Sequence, residues 1–144
     1  MGEIAGTTTL VGLIGDPVAE SLSPRMQNAA FAARGLDWAY VPLRVEHASL
    51  DVAVAALVAF GFAGANVTTP HKAAVIPFCD ELDETAERGA SVNTLVVGNG
   101  RVLGASTDAE ALGISRQWTN HLTKTVVDKE VRNRAAALHR KLGC

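Results

Sequence analysis

The chain has 144 residues, a formal net charge of −2 and a hydrophobic content of 48%, as expected for one compact folded domain. No apolar stretch approaches the roughly 20 residues that a membrane-spanning helix needs, so no membrane partner is expected. Residues 1–114 carry 6 Lys and Arg against 13 Asp and Glu. This acidic balance excludes nucleic acid as a partner, because phosphate binding depends on clustered basic side chains.

The first part of the chain alternates between strand-like and helix-like segments. Residues 10–15 form an apolar run that predicts a buried strand ending in a turn. Ser23 and Pro24 match the N-cap and first position of a helix, and Gly35 matches its end. Residues 38–45 predict a second strand, in which Pro42 indicates the edge of a sheet.

The next part continues this alternation and then changes to a hairpin. The sequence predicts a helix over about 49–60, a strand over 64–70, helical segments over 71–78 and 80–89, and a β-hairpin formed by 93–97 and 101–106. Alternating strands and helices favour parallel pairing, whereas a hairpin is antiparallel. The fold class is therefore predicted to be α/β: a three-layer sandwich with a mixed, mostly parallel sheet and helices on both faces.

Polar side chains follow several of the predicted strands at their carboxyl ends, where ligands bind in sheets of this kind. They are Ser21 and Ser23, the segment 66–72, and Thr107 with Asp108. Asn93 starts a strand, and reaches the same edge only if that strand is antiparallel. Hydroxyls, amides, one lysine and one aspartate favour a small polyhydroxylated ligand.

Lys72 and Asp108 are the candidate pair for chemistry. A lysine in a cleft beside a carboxylate can exchange a proton with a substrate hydroxyl as hydride leaves the adjoining carbon. The alternatives are structural: Lys72 is a surface lysine near a helix start, Ser23 only caps a helix while Ser21 is solvated, and Asn93 only ends a turn. His71 is expected to be an exposed residue at a helix start.

Other common site types lack a signature in this sequence. No GxGxxG or P-loop motif occurs, and the four histidines and two cysteines do not have metal-ligand spacing, so no metal site is expected. The chain opens without a signal-peptide pattern, and Cys79 and Cys144 lie far apart. These features predict two free thiols and a cytoplasmic location.

Four motifs in this order, PVAESLSP, GANVTTPHK, GASVNTL and STD, resemble the substrate-binding domain of shikimate dehydrogenase over residues 11–112. The resemblance implies that Ser21 and Ser23 bind the shikimate carboxylate. It implies that Asn66, Thr68 and Asn93 hold the carboxylate or ring hydroxyls, and that Lys72 and Asp108 form the catalytic pair. Enzymes of this family reduce 3-dehydroshikimate to shikimate with NADPH, a step towards aromatic amino acids.

The chain departs from the family pattern at four positions near these motifs. Glu20 stands where histidine is frequent, Thr69 where valine or isoleucine is commoner, Ser106 where asparagine is usual, and Ala109 where glycine is usual. The implied ligands themselves are present. Quinate or an aminoshikimate therefore stays open as an alternative to shikimate.

The predicted substrate-binding domain spans residues 1–114, and residues 115–144 form a separate basic segment with 7 Lys and Arg against 2 Asp and Glu. Related enzymes continue into a Rossmann domain that binds NADP, but residues 115–144 contain a single glycine, Gly143, and no site for NADP is expected in this chain. The chain is expected to bind its substrate and to need a separate nucleotide-binding domain for turnover. The macromolecular partners left open are that domain, or further copies of the chain in a homo-oligomer. The alternative is a non-catalytic shikimate- or quinate-binding module, or a truncated remnant.

The spacing of apolar residues in 127–142 predicts a basic helical tail. Three interpretations are open: a helix that covers apolar surface left by the missing domain, a helix that docks to a partner, or a disordered tail from a truncated or frameshifted gene.

Overall fold

The computed structural model describes residues 2–108, and the predicted basic tail at 115–144 lies outside the described residues. Six strands were found in this part of the chain: β1 (Thr9–Gly15), β2 (Trp38–Arg44), β3 (Gly64–Val67), β4 (Glu81–Leu82), β5 (Thr94–Gly98) and β6 (Arg101–Ala105). Three α-helices accompany them: α1 (Ser23–Ala33), α2 (Leu50–Ala59) and α3 (Glu84–Gly89). Two short 3-10 turns span His47–Ser49 and Ile76–Phe78.

The strands form one mixed sheet in the order β2-β1-β3-β5-β6-β4. β1 pairs in parallel with β2 and β3, and β4 pairs in parallel with β6. β5 is antiparallel to both β3 and β6. This confirms the predicted mixed, mostly parallel sheet, and it confirms that the strand containing Pro42 lies at an edge.

The two faces of the sheet carry separate apolar clusters, because side chains alternate between the faces along each strand. On one face, Phe31 of α1 packs with Val11, Leu13 and Tyr40. The opposite face packs against α2 and α3 through buried residues that include Ile14, Val54, Leu57, Ala65 and Ala86. Helices therefore cover both faces, as the three-layer prediction requires.

The start of α1 differs from the prediction by one residue. The helix begins at Ser23, its N-cap is Leu22, and the N-cap makes no side-chain hydrogen bond. The Ser21 hydroxyl oxygen instead accepts a hydrogen bond of 3.3 Å from the Ser23 backbone N–H. The prediction that Ser23 caps this helix was wrong, because Ser21 accepts from the first turn and Ser23 already lies inside it.

The segment after β3 contains less helix than predicted. Within 71–78 only Ile76–Phe78 forms a 3-10 turn, and the predicted helix at 80–89 is divided into β4 and α3. The backbone N–H groups of Asp80 and Asp83 donate to carbonyls of β6, which keeps residues 80–83 extended. The Asp83 carboxylate then accepts a 2.9 Å bond from the Ala86 N–H and caps α3.

Two backbone features explain local sequence choices. The hairpin between β5 and β6 turns at Asn99 (φ 52°) and Gly100 (φ 72°), which is the pair of left-handed residues that a tight hairpin turn needs. At the end of β1, a Cβ added to Gly15 would lie 2.4 Å from the Thr68 Cγ2. Glycine at position 15 therefore lets the segment after β3 pack closely against β1.

No helix within residues 2–108 has the length and apolarity that crossing a membrane requires.

Candidate functional site

The predicted site residues lie at one edge of the sheet because of the strand directions. β1 and β3 run in parallel, and β6 runs in the same direction because both β3 and β6 are antiparallel to β5. The carboxyl ends of β1, β3 and β6 therefore meet the amino end of β5. Asn93 precedes β5 and lies at this edge. The sequence predicted this position only for an antiparallel strand, and β5 is antiparallel. We call this edge the rim: Ser21, Ser23, Asn66, Thr68, Lys72, Asn93, Thr107 and Asp108.

Lys72 and Asp108 form an ion pair at the rim. The Lys72 Nζ lies 2.5 Å from the Asp108 Oδ2, and the two side chains are 36% and 43% exposed. The Lys72 carbonyl accepts a 2.7 Å hydrogen bond from the Val92 N–H, which ties the lysine backbone to the segment leading into β5. Since both charged groups remain partly open to solvent, the pair is accessible to a ligand and contributes little to stability.

Asn93 organises the groups around this pair. Its Nδ2 donates to the Thr107 Oγ1 at 2.7 Å and to the Asp108 Oδ1 at 3.1 Å. Its Oδ1 accepts from the Thr94 hydroxyl at 3.0 Å and from the Thr107 N–H at 3.2 Å. A primary amide has two donor hydrogens and one oxygen with two acceptor sites, so all are used. A ligand that bonds to Asn93 must replace one of these partners.

Asn66 joins the rim to the interior of the sheet. Its Oδ1 lies 2.8 Å from the Tyr40 hydroxyl oxygen, and its Nδ2 lies 3.4 Å from the Asn93 carbonyl oxygen. The Asn93 carbonyl also accepts a 2.8 Å bond from the Val67 N–H. Tyr40, Asn66 and Asn93 therefore connect β2, β3 and the start of β5.

Thr68 and the two serines occupy the part of the rim near β1. The Thr68 N–H donates to the Ile14 carbonyl at 2.8 Å, and its side chain packs where Gly15 has no Cβ. Ser21 and Ser23 lie at the start of α1 and are partly exposed. Among the described residues, no hydrogen bond joins these serines to Lys72, Asn93 or Asp108, so the rim consists of two separate polar groups.

The expectation for His71 was wrong. This side chain is 0% exposed, and its Nε2 lies 2.5 Å from the Val45 carbonyl oxygen. A carbonyl oxygen only accepts, so the proton is on Nε2, and the buried Nδ1 has no partner among the described residues. The His47 ring stacks beside it with a centroid distance of 6.3 Å. His71 thus anchors the segment that carries Lys72 to the end of β2.

Sequence reasoning did not assign a role to Tyr40, and it placed Thr107 at the rim without one. Tyr40 is only 3% exposed, and burial raises its pKa. A buried tyrosine normally has a hydrogen-bond partner for its hydroxyl. The position of Tyr40 in a predicted strand could therefore have indicated that it bonds to a polar residue. Its partner Asn66 could not be identified from spacing alone.

A second cation lies near the end of β1. The Arg44 Nε donates to the Asp16 Oδ1 at 2.9 Å, and this bond together with the Asp16 charge raises the pKa of the Arg44 guanidinium. The arginine is already paired, and its side chain is 66% exposed. Within residues 2–108, no group of three or more His, Cys, Asp or Glu side chains is arranged to hold a metal ion.

The fold is that of an α/β domain with polar side chains gathered at one edge of its sheet, and comparison with known proteins identifies the family. The family described as shikimate dehydrogenase substrate binding domain matches residues 13–95. The shikimate dehydrogenase (NADP(+)) of Rubrobacter xylanophilus is 53% identical over 106 residues, which are 73% of this chain and 37% of that protein. The chain belongs to the shikimate dehydrogenase family, which it matches through the substrate-binding domain.

Solved structures agree with this assignment. Shikimate 5-dehydrogenase from Listeria monocytogenes, in complex with shikimate and NAD, is 39% identical with a TM-score of 0.72, covering 75% of this chain and 37% of that one. The 5-ketofructose reductase of a Gluconobacter strain is 29% identical with a TM-score of 0.72, covering 75% and 39%. The chain thus spans little more than a third of the length of these relatives.

Proposed function

We propose that this chain is the substrate-binding part of an NADP-dependent shikimate dehydrogenase, and that the rim holds shikimate or 3-dehydroshikimate. The single observation that supports this most is the contact between Lys72 and Asp108, 36 positions apart in sequence, with Asn93 bonded to the same aspartate. A positive group, a carboxylate and several amides and hydroxyls suit an oxygen-rich ring better than an apolar ligand.

The proposed roles are those that the family resemblance implies, and the chemistry of each side chain is compatible with them. Ser21 and Ser23 bind the substrate carboxylate through their hydroxyls, and Asn66, Thr68 and Asn93 bind carboxylate or ring hydroxyl oxygens. Lys72 and Asp108 lie at the oxygen bonded to the carbon that changes oxidation state. Thr107 joins them as a bonded neighbour of Asn93.

Lys72 and Asp108 move the proton in the reaction. When the carbonyl of 3-dehydroshikimate is reduced, its carbon gains a hydride with the electron pair and its oxygen gains a proton. The Lys72 ammonium donates that proton, and the Asp108 carboxylate holds the ammonium in position. In the reverse direction the substrate hydroxyl gives its proton to the lysine amine while hydride leaves the carbon.

The hydride would be supplied by a nicotinamide dinucleotide, and residues 2–108 do not form a site that fits this cofactor. A dinucleotide site needs a glycine-rich turn, open to the pyrophosphate, between the first strand and its helix. Here the turn after β1 contains Asp16 and Pro17, and the space beside Gly15 is filled by Thr68 at a distance that leaves no room even for a Cβ. We therefore assign NADP to a separate nucleotide-binding domain, and residues 1–114 to the substrate domain.

A second candidate is a binding module without catalysis for shikimate, quinate or a related polyol acid. The similarity to a 5-ketofructose reductase favours a broader choice of ligand, because that relative is named for a different polyhydroxylated substrate. The four departures at Glu20, Thr69, Ser106 and Ala109 surround the same motifs. The ligand series in the following experiment tests the choice between quinate and shikimate, and turnover with an added nucleotide-binding domain separates catalysis from binding alone.

Calorimetric titration of the purified 144-residue protein with shikimate tests the proposal. We expect binding that weakens at least about tenfold in Lys72→Ala, since a lost charge-assisted hydrogen bond is worth about 1.5–3 kcal/mol. Arg88→Ala is the matched control, because Arg88 pairs with Glu84 on the surface of α3 and both side chains are exposed. It should bind as the unchanged protein does.

Titrations with quinate and 3-dehydroshikimate complete the series. Tighter binding of quinate than of either shikimate compound would favour the second candidate. Absence of heat with all three ligands at millimolar concentration would contradict both.

A further inference from the structure

Tyr40 lies outside the four sequence motifs that supply the rim residues, but its hydroxyl is hydrogen-bonded to Asn66, one of the residues proposed to bind the ligand. We infer that Tyr40 is a positioning residue for substrate binding: its hydroxyl fixes the Asn66 side-chain amide so that Asn66 offers an N–H, and not its carbonyl oxygen, to the ligand. This inference rests on the proposed function of the rim.

The orientation of the Asn66 amide follows from its neighbours. The Asn93 backbone carbonyl, 3.4 Å from the Asn66 Nδ2, can only accept a hydrogen bond. The amide nitrogen must therefore face Asn93, and Oδ1 must face Tyr40, whose hydroxyl lies 2.8 Å away. The reverse orientation would bring two acceptor oxygens together. Tyr40 is consequently the donor in its bond with Asn66.

Counting the groups of Asn66 shows what is left for a ligand. The Oδ1 is occupied by the Tyr40 hydroxyl, and one of the two Nδ2 hydrogens is directed to Asn93. The second Nδ2 hydrogen has no partner among the described residues. Asn66 is partly exposed, so this hydrogen is the group it can offer to a carboxylate or hydroxyl oxygen. Rotation of the amide by 180° would offer an acceptor in its place, which would repel a carboxylate oxygen and would require a hydroxyl to act as the donor.

Tyr40 is itself held firmly. Its ring belongs to the apolar cluster of α1, β1 and β2, and β1 separates β2 from β3, so the side chain crosses β1 to reach Asn66. The Asn28 side chain of α1 bonds both backbone groups of Tyr40, at 2.8 Å to its N–H and 2.9 Å to its carbonyl. Because burial raises the pKa of Tyr40, its hydroxyl keeps the proton, and so stays a donor, throughout the neutral range.

The decisive variant is Tyr40→Phe, which removes the hydroxyl and keeps the ring. The side-chain amide signals of Asn66, assigned by ¹⁵N NMR, report the orientation without any ligand. Calorimetry with shikimate reports binding, and urea unfolding reports stability. We expect shifted or exchange-broadened Asn66 amide signals and a shikimate affinity about 3- to 10-fold lower, as for the loss of one neutral hydrogen bond.

Phe31→Leu provides the matched control, since Phe31 lies in the same apolar cluster and has no polar atom. It should reduce stability while leaving the Asn66 amide signals and the shikimate affinity unchanged. An equal loss of affinity in Phe31→Leu, or unchanged affinity or unchanged amide signals in Tyr40→Phe, would overturn the inference. If the unchanged protein binds no shikimate, the proposed function fails, and the NMR signals still decide whether Tyr40 orients Asn66.

Discussion

At the scale of single residues, three asparagine side chains connect elements of the fold. Asn28 bonds the backbone of β2, Asn66 joins Tyr40 to the rim, and Asn93 bonds both Thr107 and Asp108. A neutral amide provides donors and an acceptor together, and it is less costly to desolvate than a charged group. These three residues can therefore link elements in half-buried places where a carboxylate or an ammonium would need a compensating charge.

Cys79 provides a prediction for a single group. Its Sγ lies 3.6 Å from the Val75 carbonyl oxygen, and partial burial, assisted by the Asp80 charge, raises the pKa of the thiol to about 11. In a Cys144→Ser background, the folded protein should react slowly with iodoacetamide at pH 9, where the unfolded protein in urea reacts rapidly. Equal alkylation rates for the folded and unfolded protein would contradict this.

The same shift gives stability a pH dependence with a defined sign. The folded-state pKa lies above the ordinary value of 9.0, so the contribution of Cys79 is fully present below pH 9 and is lost as the pH rises towards 11. Urea unfolding in this interval should show a steeper loss of stability for the Cys79-containing protein than for Cys79→Ala. Parallel curves for the two proteins would show that the thiol does not contribute.

At the scale of single elements, the edge strand β2 has backbone groups that face away from the sheet and need partners. The Asp37 carbonyl accepts a hydrogen bond from the first N–H of β1, and beyond the other end of β2 the Val45 N–H donates to the last carbonyl of β1. The residues of β2 at even positions therefore direct their backbone groups away from β1. One of these positions is Pro42, which has no N–H to leave unpaired. Another is Tyr40, whose N–H and carbonyl are bonded by Asn28. The sheet edge is therefore closed by a proline and by a helix side chain.

Asn28→Ala tests the contribution of this closure. We expect the free energy of unfolding to fall by about 1–3 kcal/mol, because two partly buried hydrogen bonds to the strand are lost. Urea unfolding measures the change, and Arg25→Ala, at an exposed position of the same helix, should stay within about 0.5 kcal/mol of the unchanged protein. An Asn28→Ala midpoint equal to that of Arg25→Ala would contradict the role of Asn28.

The strand directions determine the site at the scale of the whole molecule. Only the antiparallel direction of β5 brings Asn93 to the edge where β1, β3 and β6 end. Lys72 and Asp108 are partly exposed at the rim, and the chain covers little more than a third of its relatives' length. On the proposed function, a domain that carries the nicotinamide would have to approach this pair for hydride to reach the substrate.

A chimera tests this arrangement. Residues 1–114 would be joined to the part of the Rubrobacter xylanophilus relative that lies beyond the matched region. We expect NADP-dependent oxidation of shikimate, reduced about 100-fold or more by Lys72→Ala, as is usual for loss of a general acid or base. Arg88→Ala in the same chimera should keep its activity. A chimera that binds shikimate and NADP but shows no turnover would contradict the proposed division of roles.

Much of the fold could be predicted from local sequence. The alternation of apolar and helical segments predicted five of the six strands, and Pro42 predicted the edge, because these features depend on backbone preferences over a few residues. The segment at 71–89 could not be predicted in this way. Its strand β4 exists only because Asp80 and Asp83 bond to β6, whose position is set by the long-range order of the sheet.

By itself, the sequence determined the fold class, the hairpin and the motifs that match the family over residues 13–95. The tertiary structure decided which side chains meet: Lys72 with Asp108, Asn93 with Thr107, and Tyr40 with Asn66. It also buried His71, which the sequence had placed at the surface. The physical reason is that turns and strand patterns are local, whereas hydrogen-bond partners and burial depend on strand order and direction, which residues far apart in the chain establish together.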